Sequence, residues 1–257
     1  MSKRACIDPY AGPMVRGIDV SHHQGTIDWE KVSLDEQVGY VIIRTGDGVS
    51  EDRQFARNWP EAQKVGLRRG TYQYWRATRD VATQADLMMR QIEEAGGLSP
   101  CDLPPVCDLE EAGQGGLPIA QVLERMLDWL QRIEKGLGRV PMIYTGQYWH
   151  WQVSQARPDL GKDFGRYPLW VPSYGTPCAR MPCTTKGGPA PWKEWAFWQY
   201  SNAGSISGIS GKVDMNYFHG DEKALSRFAA ASRSSSALSS FFLSLTPFGP
   251  ILDKRGC

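Results

Sequence analysis

Over its first 220 residues the chain alternates between short apolar runs and longer mixed stretches. The runs are VRGIDV (15–20), VGYVIIR (38–44), RGTYQYW (69–75), LPPVCDL (103–109), GRVPMIY (138–144), PLWVPSY (168–174), AFWQY (196–200) and VDMNYF (213–218). A continuous β-branched run such as VIIR suits a parallel strand covered on both faces, and eight runs supply eight strands. Helical patterns separate the early runs. Residues 80–95 place Val81, Ala85, Met88 and Ile92 on one face and stop at Gly96-Gly97. Residues 118–135 begin with Pro118 at a first helical position and stop before Gly136. Residues 52–64 form a third helical stretch, open to division at Pro60.

This alternation predicts an α/β domain built on a parallel sheet. After residue 168 the runs are separated by loops rich in Gly, Pro and Ser, so the expectation is a barrel whose helices lapse late in the chain. Residues 1–14 read as an N-terminal extension, 15–220 as the barrel and 221–257 as a Ser-rich, then apolar tail. The uncharged stretch 234–252 reaches the length of a membrane span, but its early serines and two prolines favour a packed or loosely attached tail.

A length of 257 residues fits one barrel. The formal charge of +1 argues against nucleic acid or an anionic membrane surface as partner. Ten Trp and ten Tyr suit a carbohydrate or peptide groove, although core packing takes a share of such rings. Among the six cysteines, Cys101 with Cys107 and Cys178 with Cys183 are close enough to close short disulfide loops, while connectivity stays open. No Cys-x-x-Cys spacing occurs, and His22, His23, His150 and His219 do not cluster with the cysteines, so disulfides or plain thiols are expected rather than a metal site. No cofactor is implied. The N-terminus carries basic residues without an apolar core segment, so no ordinary secretory leader is expected.

The chemistry-bearing pattern is acidic. Asp19 ends the first run, Asp108 and Glu110 end the fourth, and Asp214 lies in the eighth. Parallel barrels present their chemistry at the C-terminal ends of strands, and residues two apart on a strand share a face. Crowded carboxyls raise one another's pKa, so one can stay protonated near neutrality and hand a proton to a glycosidic oxygen. Glu110, with the longer arm, is the candidate acid. Caps, turns and salt bridges are the bland alternative for any one of these acids; four at strand ends favour function. Tyr74, Tyr144, Trp170 and Trp198 are expected in the groove, with Gln199 as a weaker polar candidate. Tyr72 and Tyr174 lie beside them, and a stacked barrel interior is the alternative for each ring. Arg44 is expected to pair with a central carboxylate and hold it ionised. His22 and His23 belong to the loop after Asp19, either shaping the groove or shifting Asp19's pKa. Asp28 reads as a helix cap, with Trp29 packed behind it.

The chain resembles the Chalaropsis-type lysozymes of glycoside hydrolase family 25. The resemblance rests on an ordered set: GIDVSHHQGTIDW (17–29), GYVIIRTGDG (39–48), GLRRGTYQYW (66–75), VCDLEE (106–111), VPMIYTG (140–146), LWVPSY (169–174), FWQYS (197–201) and GISGKVDMNYF (208–218). It implies a modified TIM-like (β/α)5(β)3 barrel. It further implies cleavage of the β-1,4 bond between N-acetylmuramic acid and N-acetylglucosamine in bacterial peptidoglycan, outside the cytoplasm, by a monomer. The family's Asp-x-Glu motif falls on Asp108-Leu109-Glu110. Glu110 takes the role of proton donor, Asp108 that of orienting the N-acetyl group or stabilising the transition state, and Asp19 and Asp214 line the centre. Retention through the sugar's own acetamide and inversion through water both remain open. A chitinase-like glycosidase and a carbohydrate-binding barrel without turnover are the rivals. Cys107, in place of a plain apolar residue, and the long insert 177–195 depart from the family pattern.

Overall fold

The structure is a computed structural model that describes residues 13–36, 38–174 and 190–231. In chain order it contains β1 (Met14–Val20), α1 (Trp29–Ser33), β2 (Tyr40–Asp47), β3 (Ser50–Glu51), α2 (Phe55–Lys64), β4 (Arg68–Tyr74) and α3 (Val81–Glu94). There follow β5 (Val106–Asp108), α4 (Glu111–Gln114), α5 (Ile119–Leu137), β6 (Met142–Tyr144) and α6 (Gln147–Trp149), which runs into a π-helical turn over His150–Gln155. The chain ends with α7 (Pro158–Gly161), β7 (Leu169–Pro172), β8 (Phe197–Gly204), β9 (Val213–His219) and α8 (Glu222–Ala231).

The sheet runs β1-β9-β8-β7-β6-β5-β4-β2-β3, and β1 also pairs with β2, which closes a barrel of eight strands. Among the described strands only β3 stands outside the ring, as a hairpin return onto β2. Each of the eight apolar runs supplies one barrel strand. All barrel pairings are parallel except those of β9, which is antiparallel to both β1 and β8. Among the described residues no helix lies between β7 and β9, which matches the late lapse of helices read from composition.

Two-residue alternation sorts the strands into two cores. Tyr40 and Ile42 of β2 face inward with Val106, Met142, Trp170, Phe197 and Phe218. Val41 and Ile43 face outward onto a helix layer that includes Trp59, Met88, Val122 and Trp129. Gly17 has no side chain because the Tyr40 ring occupies the space a Cβ would need. Within the stretch read as a tail, α8 seals the N-terminal end of the barrel. Leu225 and Ala229 join the inner core, and the Phe228 ring lies 5.6 Å from Phe197 and 5.5 Å from Phe218. Residues 232–257, with the uncharged stretch, lie outside the described residues.

Three sequence expectations need correction. Pro60 sits inside α2 without dividing it. Gly136 does not stop α5, which continues to Leu137 and ends at Gly138 in the left-handed region (φ 63°). A side chain at position 136 would run into Met89, so this glycine is a notch where α3 and α5 approach. The third concerns the cysteines. Cys107 is a free, fully buried thiol, whereas Cys101 is disulfide-bonded, so the two are not partners. The chain enters β5 between them, and Cys107 faces the outer core. Cys178 and Cys183 lie outside the described residues.

Candidate active site

The parallel strands deliver their C-terminal residues to one rim. Asp19 sits one residue before the end of β1, Asp108 is the last residue of β5, and Glu110 follows two residues on. Asp214 belongs to β9, which runs the other way, so its second residue reaches the same rim and stands opposite Asp19 in the register. The four acids feel one another: Asp108 is destabilised as an anion by Glu110 and Asp19, and Glu110 by Asp214.

Burial is the main cause of every shift in this group. It pushes the Asp108 carboxyl well above the usual range, with Glu110 and Asp19 adding to the rise and Arg44 opposing it. Burial and the neighbouring Asp214 likewise raise Asp19 well above its ordinary value. Asp214 is raised too, chiefly by burial, and a hydrogen bond joins the two side chains. Glu110 opens to solvent, yet the barrel wall displaces enough water to raise its pKa, against the pull of Arg76. The Oδ1 atom of Asp108 is buried and finds no hydrogen-bond donor among the described residues.

Asp19 is held from two sides. Its Oδ2 accepts from Gln199 Nε2 at 2.8 Å and from Asn216 Nδ2 at 2.7 Å. Gln199 in turn accepts from the hydroxyls of Tyr144 at 2.8 Å and Tyr174 at 2.5 Å. Asn216 accepts from Trp170 Nε1 at 2.8 Å. Asn216 escaped the sequence reading, although its spacing of two from Asp214 puts both on one face of β9 and was the available signal.

The rings divide between wall and floor. Tyr74 is half-buried beneath the Arg76 guanidinium, 4.5 Å from its ring centre, and burial beside Glu110 lifts its hydroxyl pKa to about 12. Tyr174 is 45% exposed and stands on the rim. Trp170 is buried, with Tyr144 edge-on at 4.7 Å and Tyr72 edge-on at 6.2 Å, so it forms a floor rather than an open platform. Trp198 does not face the groove. It neighbours Gln199 on β8 and therefore points to the opposite face, where it packs on Trp195, Tyr200 and Tyr217 in the outer core.

Arg44 does not ion-pair with a member of the acid group. Its Nε binds Asp52 Oδ2 at 2.8 Å, and that oxygen also accepts from the His22 backbone N–H at 3.0 Å and lies 3.0 Å from His22 Nδ1. Asp52, buried and unanticipated, thereby staples the loop after Asp19 to β2. Hydrogen bonds from His22, Gln54 and Arg44 outweigh burial and hold its carboxyl below the usual value. Asp28 caps α1 by accepting from the Lys31 N–H at 3.2 Å, with Trp29 buried behind it. Among the described residues no three His, Cys, Asp or Glu side chains converge as metal ligands.

A closed barrel that gathers crowded, proton-retaining carboxyls and tyrosines at the C-terminal ends of its strands has the design of a glycoside hydrolase. The sequence model of the glycosyl hydrolases family 25 matches residues 18–209, and the chain belongs to that family, the lysozymes and muramidases. It is 34% identical over 219 residues to the uncharacterized protein YegX of Escherichia coli O157:H7, covering 83% of this chain and 73% of that one. It is 33% identical over 219 residues to Lysozyme M1 of Streptomyces globisporus, covering 82% of this chain and 70% of the relative. The crystal structure of the bacterial lysozyme from Streptomyces coelicolor superposes with a TM-score of 0.71 at 29% identity, over 85% of this chain and 98% of that one.

Proposed function

We propose that the protein hydrolyses the β-1,4 bond between N-acetylmuramic acid and N-acetylglucosamine in peptidoglycan, with Glu110 as proton donor. The names of its relatives, Lysozyme M1 and the autolytic lysozyme of Clostridium acetobutylicum among them, support that substrate. The raised pKa of Glu110 keeps its proton available, and its position in open solvent gives a bridging oxygen access to it.

The observation that carries the mechanism is the unpartnered, buried Oδ1 of Asp108. An acceptor without a donor is costly inside a protein. The N–H of a sugar acetamide supplies that donor. By accepting it, Asp108 pushes electron density toward the acetamide oxygen, which attacks the anomeric carbon as Glu110 protonates the departing oxygen. Water then opens the cyclic intermediate, giving up its proton to Glu110. Asp19, braced by Gln199 and Asn216, and Asp214 beside it shape the floor under the reacting ring. The enzyme acts where the wall is, outside the cytoplasm.

Digestion of defined peptidoglycan, followed by mass spectrometry of the fragments, tests this reading. New reducing ends on N-acetylmuramic acid, released with retained anomeric configuration in a proton NMR time course, are expected. Reducing ends on N-acetylglucosamine would overturn the bond assignment, and inverted product would overturn the role of Asp108.

A further inference from the structure

A second recess opens on the same face as the acids. It is a cavity of about 350 Å³ whose lining includes Asp47, Gly48, Arg76, Thr78, Arg79 and Gly113, at the small end of the roughly 300–1,000 Å³ typical of ligand sites. Its walls are the ends of β2 and β4 and the start of α4 just beyond β5, so it lies among the strand ends that carry the catalytic rim.

Arg76 is the shared wall. Its guanidinium binds Asp47 through two hydrogen bonds, 2.6 and 2.8 Å, and donates to the Ala112 carbonyl at 3.3 Å. It also stacks on Tyr74 and lies close enough to favour the ionised form of Glu110. Asp47 neutralises Arg76. Arg79 differs: its side chain is exposed, and among the described residues no carboxylate pairs with it. Gly48, in the left-handed region (φ 58°), keeps the hairpin turn clear of the Arg76 and Arg79 stems, because a Cβ there would lie 2.9 Å from Arg76 Cγ and 3.4 Å from Arg79 Cγ. The recess is therefore polar and rimmed by one uncompensated cation, and it adjoins the proton donor.

We propose that this recess holds the acidic stem peptide carried on the lactyl arm of the muramoyl residue, with the Arg79 guanidinium binding one of its carboxylates. This rests on the muramidase reading above and deepens it: the enzyme selects peptide-bearing glycan over bare glycan. The exposed Thr78 hydroxyl in the lining offers a partner to a peptide amide, and the bidentate geometry of arginine matches a carboxylate.

The test compares Arg79→Ala with the unchanged enzyme on two substrates: peptide-bearing peptidoglycan strands, and the same strands stripped of peptide by an amidase, which leaves free lactyl carboxylates. The expected result is a fall of about tenfold in kcat/KM on peptide-bearing strands and a change within about twofold on stripped strands. Arg79→Lys should recover part of the loss. Equal change on both substrates, whether none or large, would overturn the proposal. A loss confined to stripped strands would transfer the contact to the lactyl carboxylate and likewise overturn it. If the unchanged enzyme cuts neither substrate, the muramidase reading itself fails, which is a separate outcome. Arg79 is exposed and outside the acid group, so circular dichroism and the melting temperature of the variant should match those of the unchanged enzyme.

Discussion

Two clusters of buried charge on opposite faces of β4 are handled in opposite ways. On the outer face, Arg69 binds Asp102 through two hydrogen bonds, 2.9 and 3.1 Å, donates to the carbonyls of Trp59 and Gly97, and lies 3.9 Å from the Trp59 ring centre. Asp102 also accepts from the Ser99 N–H at 2.6 Å. Every guanidinium nitrogen and both carboxylate oxygens there find a partner. At the inner rim, Asp19, Asp108, Asp214 and Glu110 crowd together, the nearby Arg44 and Arg76 are paired to Asp52 and Asp47 instead, and Asp108 keeps an acceptor unmet. The first arrangement is architecture. The second is held against its own electrostatics, the signature of a site kept for function rather than for stability.

The contrast can be broken from either side. Glu110→Gln is expected to cut turnover by about a thousandfold, a loss typical of a removed general acid, with the melting temperature unchanged; reducing-end release and calorimetry check both halves. Asp102→Ala should do the reverse. It leaves Arg69 buried without its anion, so unfolding in urea should show a loss of about 3–5 kcal/mol, while turnover per folded molecule holds. Asp19→Asn removes a desolvated acid and keeps an acceptor for Gln199 and Asn216. Stability at pH 7 should rise by on the order of 1 kcal/mol while turnover drops at least tenfold. The smallest effect is the pH slope. Carboxyls with raised folded pKa bind more protons in the folded state, so their stabilising contribution is complete below the unfolded value of about 4 and is lost as pH climbs through the folded value. The melting temperature should therefore decline from mildly acidic to neutral pH, and less steeply in Asp19→Asn. Asp52, with its lowered pKa, contributes the other way, losing stability only as pH falls toward acid.

The strands were legible because their alternation of apolar positions survives intact in the structure, from Val41 and Ile43 to Val106. The acids were legible because strand ends and carboxyls coincide. What escaped depends on partners far away in sequence. Arg44 could be expected to meet an acid, but nothing in spacing says that Asp52, eight residues on, outcompetes Asp108. Trp198 and Gln199 could not both face inward, and ring size favoured the wrong one; the polar neighbour is inside because Asp19 waits there for a donor. The Cys101–Cys107 pairing looked natural as a short loop and fails because Cys107 turns into the outer core as a free thiol while Cys101 is bonded elsewhere. Gly136 looked like a terminator because its partner, Met89, lies on another helix.

Cys107 offers a use of its own. Its thiol lies on the hidden side of the segment that carries Asp108, fully shielded, and kept protonated by burial and the neighbouring acid. A thiol reagent reaches it only when that stretch of wall parts from the helices, so the rate at which its peptide gains label times the breathing of β5 in the native enzyme. Occupancy of the cleft by a glycan should slow that clock, giving a readout of engagement that needs no bond to be cut.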